Sequence, residues 1–104
     1  TYAPDALNEL AAISEWNEKY YDPDHATRYM KYLLDQIGQI CRDPKKGHQF
    51  SARPDLYYAL IRRSSSGHGH IVIYRRSVEL IEIVHVFHSA QNWQQHLIDE
   101  ASPE

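Results

Sequence analysis

Apolar positions along the chain fall into two helical stripes, followed by three strand-like runs. After Pro4 and Asp5, Leu7, Leu10, Ala11 and Ser14 recur at helical spacing, and Ile13, Trp16 and Tyr20 widen the face. Proline suits a first helical turn and an acid complements its positive end, so a helix is predicted from Pro4 to Tyr20 or Tyr21. Asp22-Pro23-Asp24 is a second start: Asp22 can cap, and Pro23 sits where a missing N–H costs nothing. The stripe that follows reads Ala26, Tyr29, Met30, Leu33, Ile37, Ile40 and Cys41, and Asp43-Pro44 stops it. So short a joint predicts an antiparallel helix hairpin whose apolar faces need a common surface.

That surface must come from the second half. Lys45 to Pro54 is a polar connection carrying Gly47, expected to be an ordered loop. Leu56–Arg62, His70–Arg75 and Leu80–His88 have strand-like density of aromatic and branched residues. Ser64-Ser65-Ser66-Gly67 reads as a turn and Ser77–Glu79 as a tight connection, and links this short imply sequential antiparallel hairpins. Trp93, Leu97 and Ile98 then predict a short closing helix, with a frayed tail at Ala101–Glu104. Thr1–Ala3 is too short to define a strand alone and leaves room for a first strand only partly represented. The fold class expected is α+β, a single domain over residues 1–104. An N-terminal helix hairpin packs on a three- to four-stranded antiparallel sheet, with a short C-terminal helix.

Composition narrows the function classes. Apolar content of 42% and charged content of 24% are ordinary for a globular chain. No apolar run approaches the roughly 20 residues of a membrane span, and no signal-peptide pattern opens the chain, so no membrane partner is expected. Cys41 is the single cysteine, which fits a reducing cytoplasm. A net charge of −3 argues against binding bulk nucleic acid. The charge is uneven, however. Acids outnumber bases up to Asp43, whereas Lys45 to Arg76 carries seven Lys or Arg against one acid, Asp55. An acidic helical half and a basic sheet half follow.

Three stretches carry a family resemblance. Pro4-Asp5-Ala6-Leu7-Asn8-Glu9-Leu10 resembles the opening helix of the RelE/ParE superfamily, the toxins of bacterial toxin–antitoxin pairs. His70-Ile71-Val72-Ile73-Tyr74-Arg75 is similar to its central strand, and Ile81 to His88 to its last strand, which often closes on a histidine. Asn92-Trp93 and His96-Leu97 fit the tail of the ParE-like branch, so the resemblance covers nearly the whole chain. Two departures bear on chemistry. Leu56 is followed by Tyr57 where arginine is often found, and Ser89-Ala90-Gln91 stands where an arginine is expected after the last strand.

Catalytic candidates are few. Cleavage of RNA through its 2′-hydroxyl needs a general base, a general acid and cationic stabilisation of the phosphorane-like transition state. His48, Arg53, Arg62, Arg63, His70, Arg75 and His88 supply the residue types, with His88, Arg75 and Arg53 first to test. The competing reading of Arg62, Arg63, Arg75 and Arg76 is that they are solvated strand edges that discourage sheet-to-sheet pairing. Among the seven histidines, His68 and His70 would share a strand face while His85 and His88 lie on opposite faces, so no metal site or cofactor is expected.

The sheet argues for binding instead. Regular alternation puts Ile81, Ile83 and Phe87 on one face of the last strand and Leu80, Val84 and Val86 on the other. The hairpin can cover one face, which predicts an apolar groove for another chain on the second. Tyr57, Tyr58, Arg62, Arg63, Val84, Val86 and Trp93 are the candidate partner-binding residues, although Trp93 is expected first to close the core. In the family resembled the cover is a segment of the antitoxin, giving a toxin–antitoxin hetero-oligomer. The resemblance therefore implies a ParE-like toxin of a type II module that poisons DNA gyrase by protein–protein binding. The alternatives are a RelE-like endonuclease acting on mRNA at the ribosome, and a non-toxic relic or adaptor that keeps only antitoxin binding.

Overall fold

The computed structural model of the protein describes residues 1–63 and 69–101. The expected turn at Ser64–Gly67, His68 and most of the tail lie outside the described residues. Helices α1 (Pro4–Tyr20) and α2 (Pro23–Arg42) form the hairpin, and strands β1 (His48–Gln49), β2 (Leu56–Ile61), β3 (His70–Arg76) and β4 (Ile81–His88) follow, before helix α3 (Trp93–Ala101). A 3-10 turn at Pro44–Lys46 precedes β1. The sheet is antiparallel throughout, in the order β1-β2-β3-β4. No helix among the described residues is long and apolar enough to cross a membrane.

The local devices are those the sequence carries. Asp22 caps α2 by accepting the His25 N–H at 2.7 Å, with Pro23 in the first turn. Residues 1–3 add a short parallel stretch to β4: Thr1 O accepts from Ile83 N, and Ala3 N donates to Ile83 O, both at 2.8 Å. They pair part of an edge that would otherwise be open.

The sheet separates two cores. Ala6, Leu10, Leu33, Ile37, Ile61, Val72, Tyr74, Ile83 and Val86 pack between hairpin and sheet. On the opposite face Phe50, Leu56, Ile71, Ile73, Phe87, Trp93 and Leu97 form a second cluster under α3. Two expectations change here. The register of β3 against β4 shifts between Ile73, opposite His85, and Tyr74, opposite Ile83, so Val84 is a bulge. The extra residue reverses the alternation, placing Ile81, Ile83 and Val86 toward the hairpin and Phe87 on the other face. The apolar groove expected on that face is filled by α3 and Phe50. On α1, the buried positions are Ala6, Leu10 and Asn17 with Ile13 beside them, while Leu7, Trp16 and Tyr20 point outward. Asn17 is accommodated because its Nδ2 donates to Ile13 O at 2.8 Å.

Candidate partner-binding surfaces

The three ribonuclease candidates first to test, His88, Arg75 and Arg53, are not brought together, whereas His70 and Arg63 gather near His88 around Tyr29. His88 pairs with His70 at one end of the sheet, whereas Arg75 lies five residues further along β3, about 17 Å at strand spacing. Their faces also differ. Arg75 shares a side with Ile71 and Ile73, toward α3, and His88 shares one with Val86, toward the hairpin. Arg53 and Arg75 are engaged by acids as well. Arg53 Nη1 donates to Glu100 Oε1 at 3.1 Å and to Leu97 O at 3.2 Å, and Arg75 Nη1 donates to Glu82 at 2.9 Å. Asp55 lies 3.9 Å from Arg53 and 3.4 Å from Arg75. His88 Nδ1 accepts the Ala90 N–H at 3.1 Å, capping the turn that leads into α3.

His70 is buried at the start of β3, where its Nδ1 and the Tyr29 hydroxyl share a 2.6 Å hydrogen bond. Burial, reinforced by His88 5.5 Å away, lowers its pKa to about 4, so the ring is neutral near pH 7. Burial raises the Tyr29 pKa, with Tyr32 adding to it against Arg63, so the hydroxyl stays protonated. The structure thus gives His70 a hydrogen bond that ties α2 to the sheet.

The residues proposed for partner binding divide by burial. Val86, 2% exposed, and Trp93, 7% exposed, belong to the protein's own cores and cannot form an outer surface. Trp93 closes the second core, with Phe50 at 5.7 Å and Tyr58 at 4.9 Å. Val84 is half-buried at the bulge, and Tyr57 is half-buried, stacked on Tyr74 beneath the Arg76 guanidinium. Arg63 lies over Tyr32 and Tyr29 at 4.7 and 5.4 Å, anchoring the end of β2 to α2, and Arg62 is exposed. Edge protection therefore describes these arginines only in part, because Arg63, Arg75 and Arg76 each hold a specific neighbour.

Two surfaces remain. β1 pairs only with Tyr57 and Tyr58, which leaves Ala59–Ile61 without a strand partner on that side among the described residues. Beside this edge runs a groove of about 490 Å³ between α2 and β2, lined among others by Gln36, Gln39, Ile40, Lys46, His48 and Leu60. Leu60 is 47% exposed there, and no lining residue is acidic. The second surface is the tip of the hairpin. Trp16, Tyr20 and Tyr21 are 53%, 58% and 58% exposed, and their rings form a contiguous cluster with His25. Sequence periodicity had folded Trp16 and Tyr20 into the α1 stripe. Their place at the end of that stripe, next to Tyr21 and the turn, was the available sign that they lie past the sheet.

Comparison with known proteins identifies the chain. The family described as "ParE toxin of type II toxin-antitoxin system, parDE" matches residues 1–93. No curated protein sequence matches it. Among solved structures the chain is similar to one titled "Chromosomal ParDE TA system from P. aeruginosa", at a TM-score of 0.69 and 16% identity over 84% of this chain and 90% of that one, a likeness of fold. With the hairpin, the four-stranded sheet and the closing helix in place, the family match over residues 1–93 settles membership: the chain belongs to the ParE toxin family of type II toxin–antitoxin systems.

Proposed function

We propose that the protein is a growth-inhibiting toxin that poisons DNA gyrase by protein–protein binding and is neutralised by a cognate antitoxin. The observation that carries this reading over ribonuclease chemistry is the separation of His88 from Arg53 and Arg75, with both arginines committed to carboxylates. A general base and its cationic stabilisers must converge on one phosphate, and these do not. The exposed ring cluster of Trp16, Tyr20 and Tyr21 supports a protein target, since aromatic side chains give large contact area at low entropic cost.

The antitoxin is assigned to the groove beside β2. An extended segment can add to the free edge at Ala59–Ile61, and the exposed Leu60 offers it an apolar contact. Lys46 in the groove, with Lys45 and Arg62 nearby in sequence, favours an acidic segment. Expression of the protein alone, with and without the product of the adjacent reading frame, tests the reading. Growth arrest with a DNA-damage response and intact mRNA, relieved by the neighbouring product, is the expected result. Rapid codon-positioned mRNA cleavage would overturn it in favour of the endonuclease, and absence of any growth defect in favour of a relic.

A further inference from the structure

His85 is a buried histidine with both ring nitrogens committed. It follows the Val84 bulge, turns to the α3 face and stacks on Phe87 at 4.5 Å. Its Nδ1 lies 2.8 Å from Glu9 Oε2 on α1, and its Nε2 lies 2.9 Å from Glu100 Oε2 on α3. His96, four residues before Glu100 on the same helical face, places Nε2 3.8 Å from that same carboxylate oxygen. Ligand atoms of His85, His96 and Glu100 all lie within 4.8 Å of one another. We propose that these three residues bind a divalent transition-metal ion of the zinc class, through His85 Nε2, His96 Nε2 and Glu100 Oε2, with the fourth position open to solvent.

The geometry and the surroundings both fit. Zinc bonds of about 2.0–2.1 Å in a tetrahedron set neighbouring ligand atoms about 3.3 Å apart; the two pairs that include Glu100 stand at 2.9 and 3.8 Å, and the two imidazole nitrogens lie within 4.8 Å. The adjustment falls on His96, whose exposed ring is the least constrained of the three. Two histidines and one carboxylate are a zinc donor set, and an imidazole–carboxylate mixture disfavours calcium or magnesium. The supporting groups are also present. Glu9 holds the second nitrogen of His85, as carboxylates commonly do for a metal-bound imidazole. Arg53 holds Glu100 Oε1, and the ion would take the place of the proton now shared between His85 Nε2 and Glu100 Oε2, releasing it to solvent. Glu9 Oε1 is fixed in turn by the Val86 N–H at 2.8 Å.

Calorimetric titration of the untagged, chelator-treated chain with Zn²⁺, and absorption spectroscopy with Co²⁺ as a probe, test the proposal. The expected result is one ion per chain, with the intense visible bands of tetrahedral cobalt. His96→Ala, at an exposed position, should lose at least tenfold in affinity together with those bands. Glu9→Gln keeps an acceptor for Val86 and should weaken binding about 10–100-fold at unchanged stoichiometry. His48→Gln, on the edge strand β1, should bind as the parent does. Absence of saturable binding, His96→Ala binding like the parent, or loss of binding in His48→Gln would each overturn the assignment.

Discussion

The Tyr29 hydroxyl and Nδ1 of His70 share a hydrogen bond of 2.6 Å, joining the second turn of α2 to the first residue of β3. Tyr29 lies in turn beneath the Arg63 guanidinium, and the His70 ring stands edge-on to that of His88. This contact fixes where the hairpin sits along the sheet, and it makes stability depend on acid. His70 titrates at about 4 in the folded chain against about 6.5 unfolded, so its contribution is whole above pH 6.5. As pH falls from 6.5 toward 4, the unfolded chain takes up the proton first. Up to about 3 kcal/mol is then lost. Urea unfolding between pH 4 and 7 should show this decline, and His70→Gln should flatten it. Tyr29→Phe should cost about 1–3 kcal/mol at pH 7 by leaving the buried nitrogen without its hydrogen-bond partner.

Gly47 holds a second tight junction. Tyr74, buried in the hairpin-side core, sends its hydroxyl to Pro44 O at 2.6 Å. A Cβ on Gly47 would overlap that hydroxyl and lie 3.0 Å from Tyr58 O. Gly47→Ala should therefore displace the loop or the Tyr74 hydrogen bond and destabilise by about 1–3 kcal/mol. Thermal unfolding would read the loss, and Tyr74→Phe in the same background should recover part of it by removing the overlapping hydroxyl.

Leu60 tests the antitoxin surface. It stands exposed at the free part of β2, so Leu60→Asp should leave the fold intact while placing an acid against an acidic segment. Affinity for the antitoxin should fall at least tenfold by calorimetry, with growth inhibition retained. Unchanged affinity would move the antitoxin elsewhere on the molecule.

The elements were legible in the sequence because each carries its own punctuation. Asp22-Pro23 opens α2 and Pro44 closes it, and the short links force antiparallel neighbours. The bulge at Val84 was not legible. Ile81 to Phe87 is apolar on both faces apart from Glu82 and His85, so either alternation buries hydrophobic side chains and nothing local selects the register. The side assigned to Phe87 and Val86 was reversed for that reason, and the second face was expected open although α3 covers it. The α1 stripe misled for a related reason: helical spacing fits Leu7, Leu10 and Ser14 as well as Ala6, Leu10, Ile13 and Asn17, and the choice rests on what β4 and α2 present to it. The cluster of His85, Glu9, His96 and Glu100 is drawn from three elements far apart in sequence, and only the packed sheet reveals it.

Supercoiling and DNA cleavage by purified gyrase in the presence of the protein address its target most directly. Dose-dependent loss of supercoiling should accompany accumulation of gyrase-linked DNA breaks, and His88→Ala should inhibit as fully as the parent. Replacing Trp16 and Tyr20 together with alanine, at exposed positions, should raise the inhibitory concentration at least tenfold. Gyrase that supercoils normally beside folded protein, while the same preparation cleaves ribosome-bound mRNA and His88→Ala does not, would contradict the gyrase assignment outright.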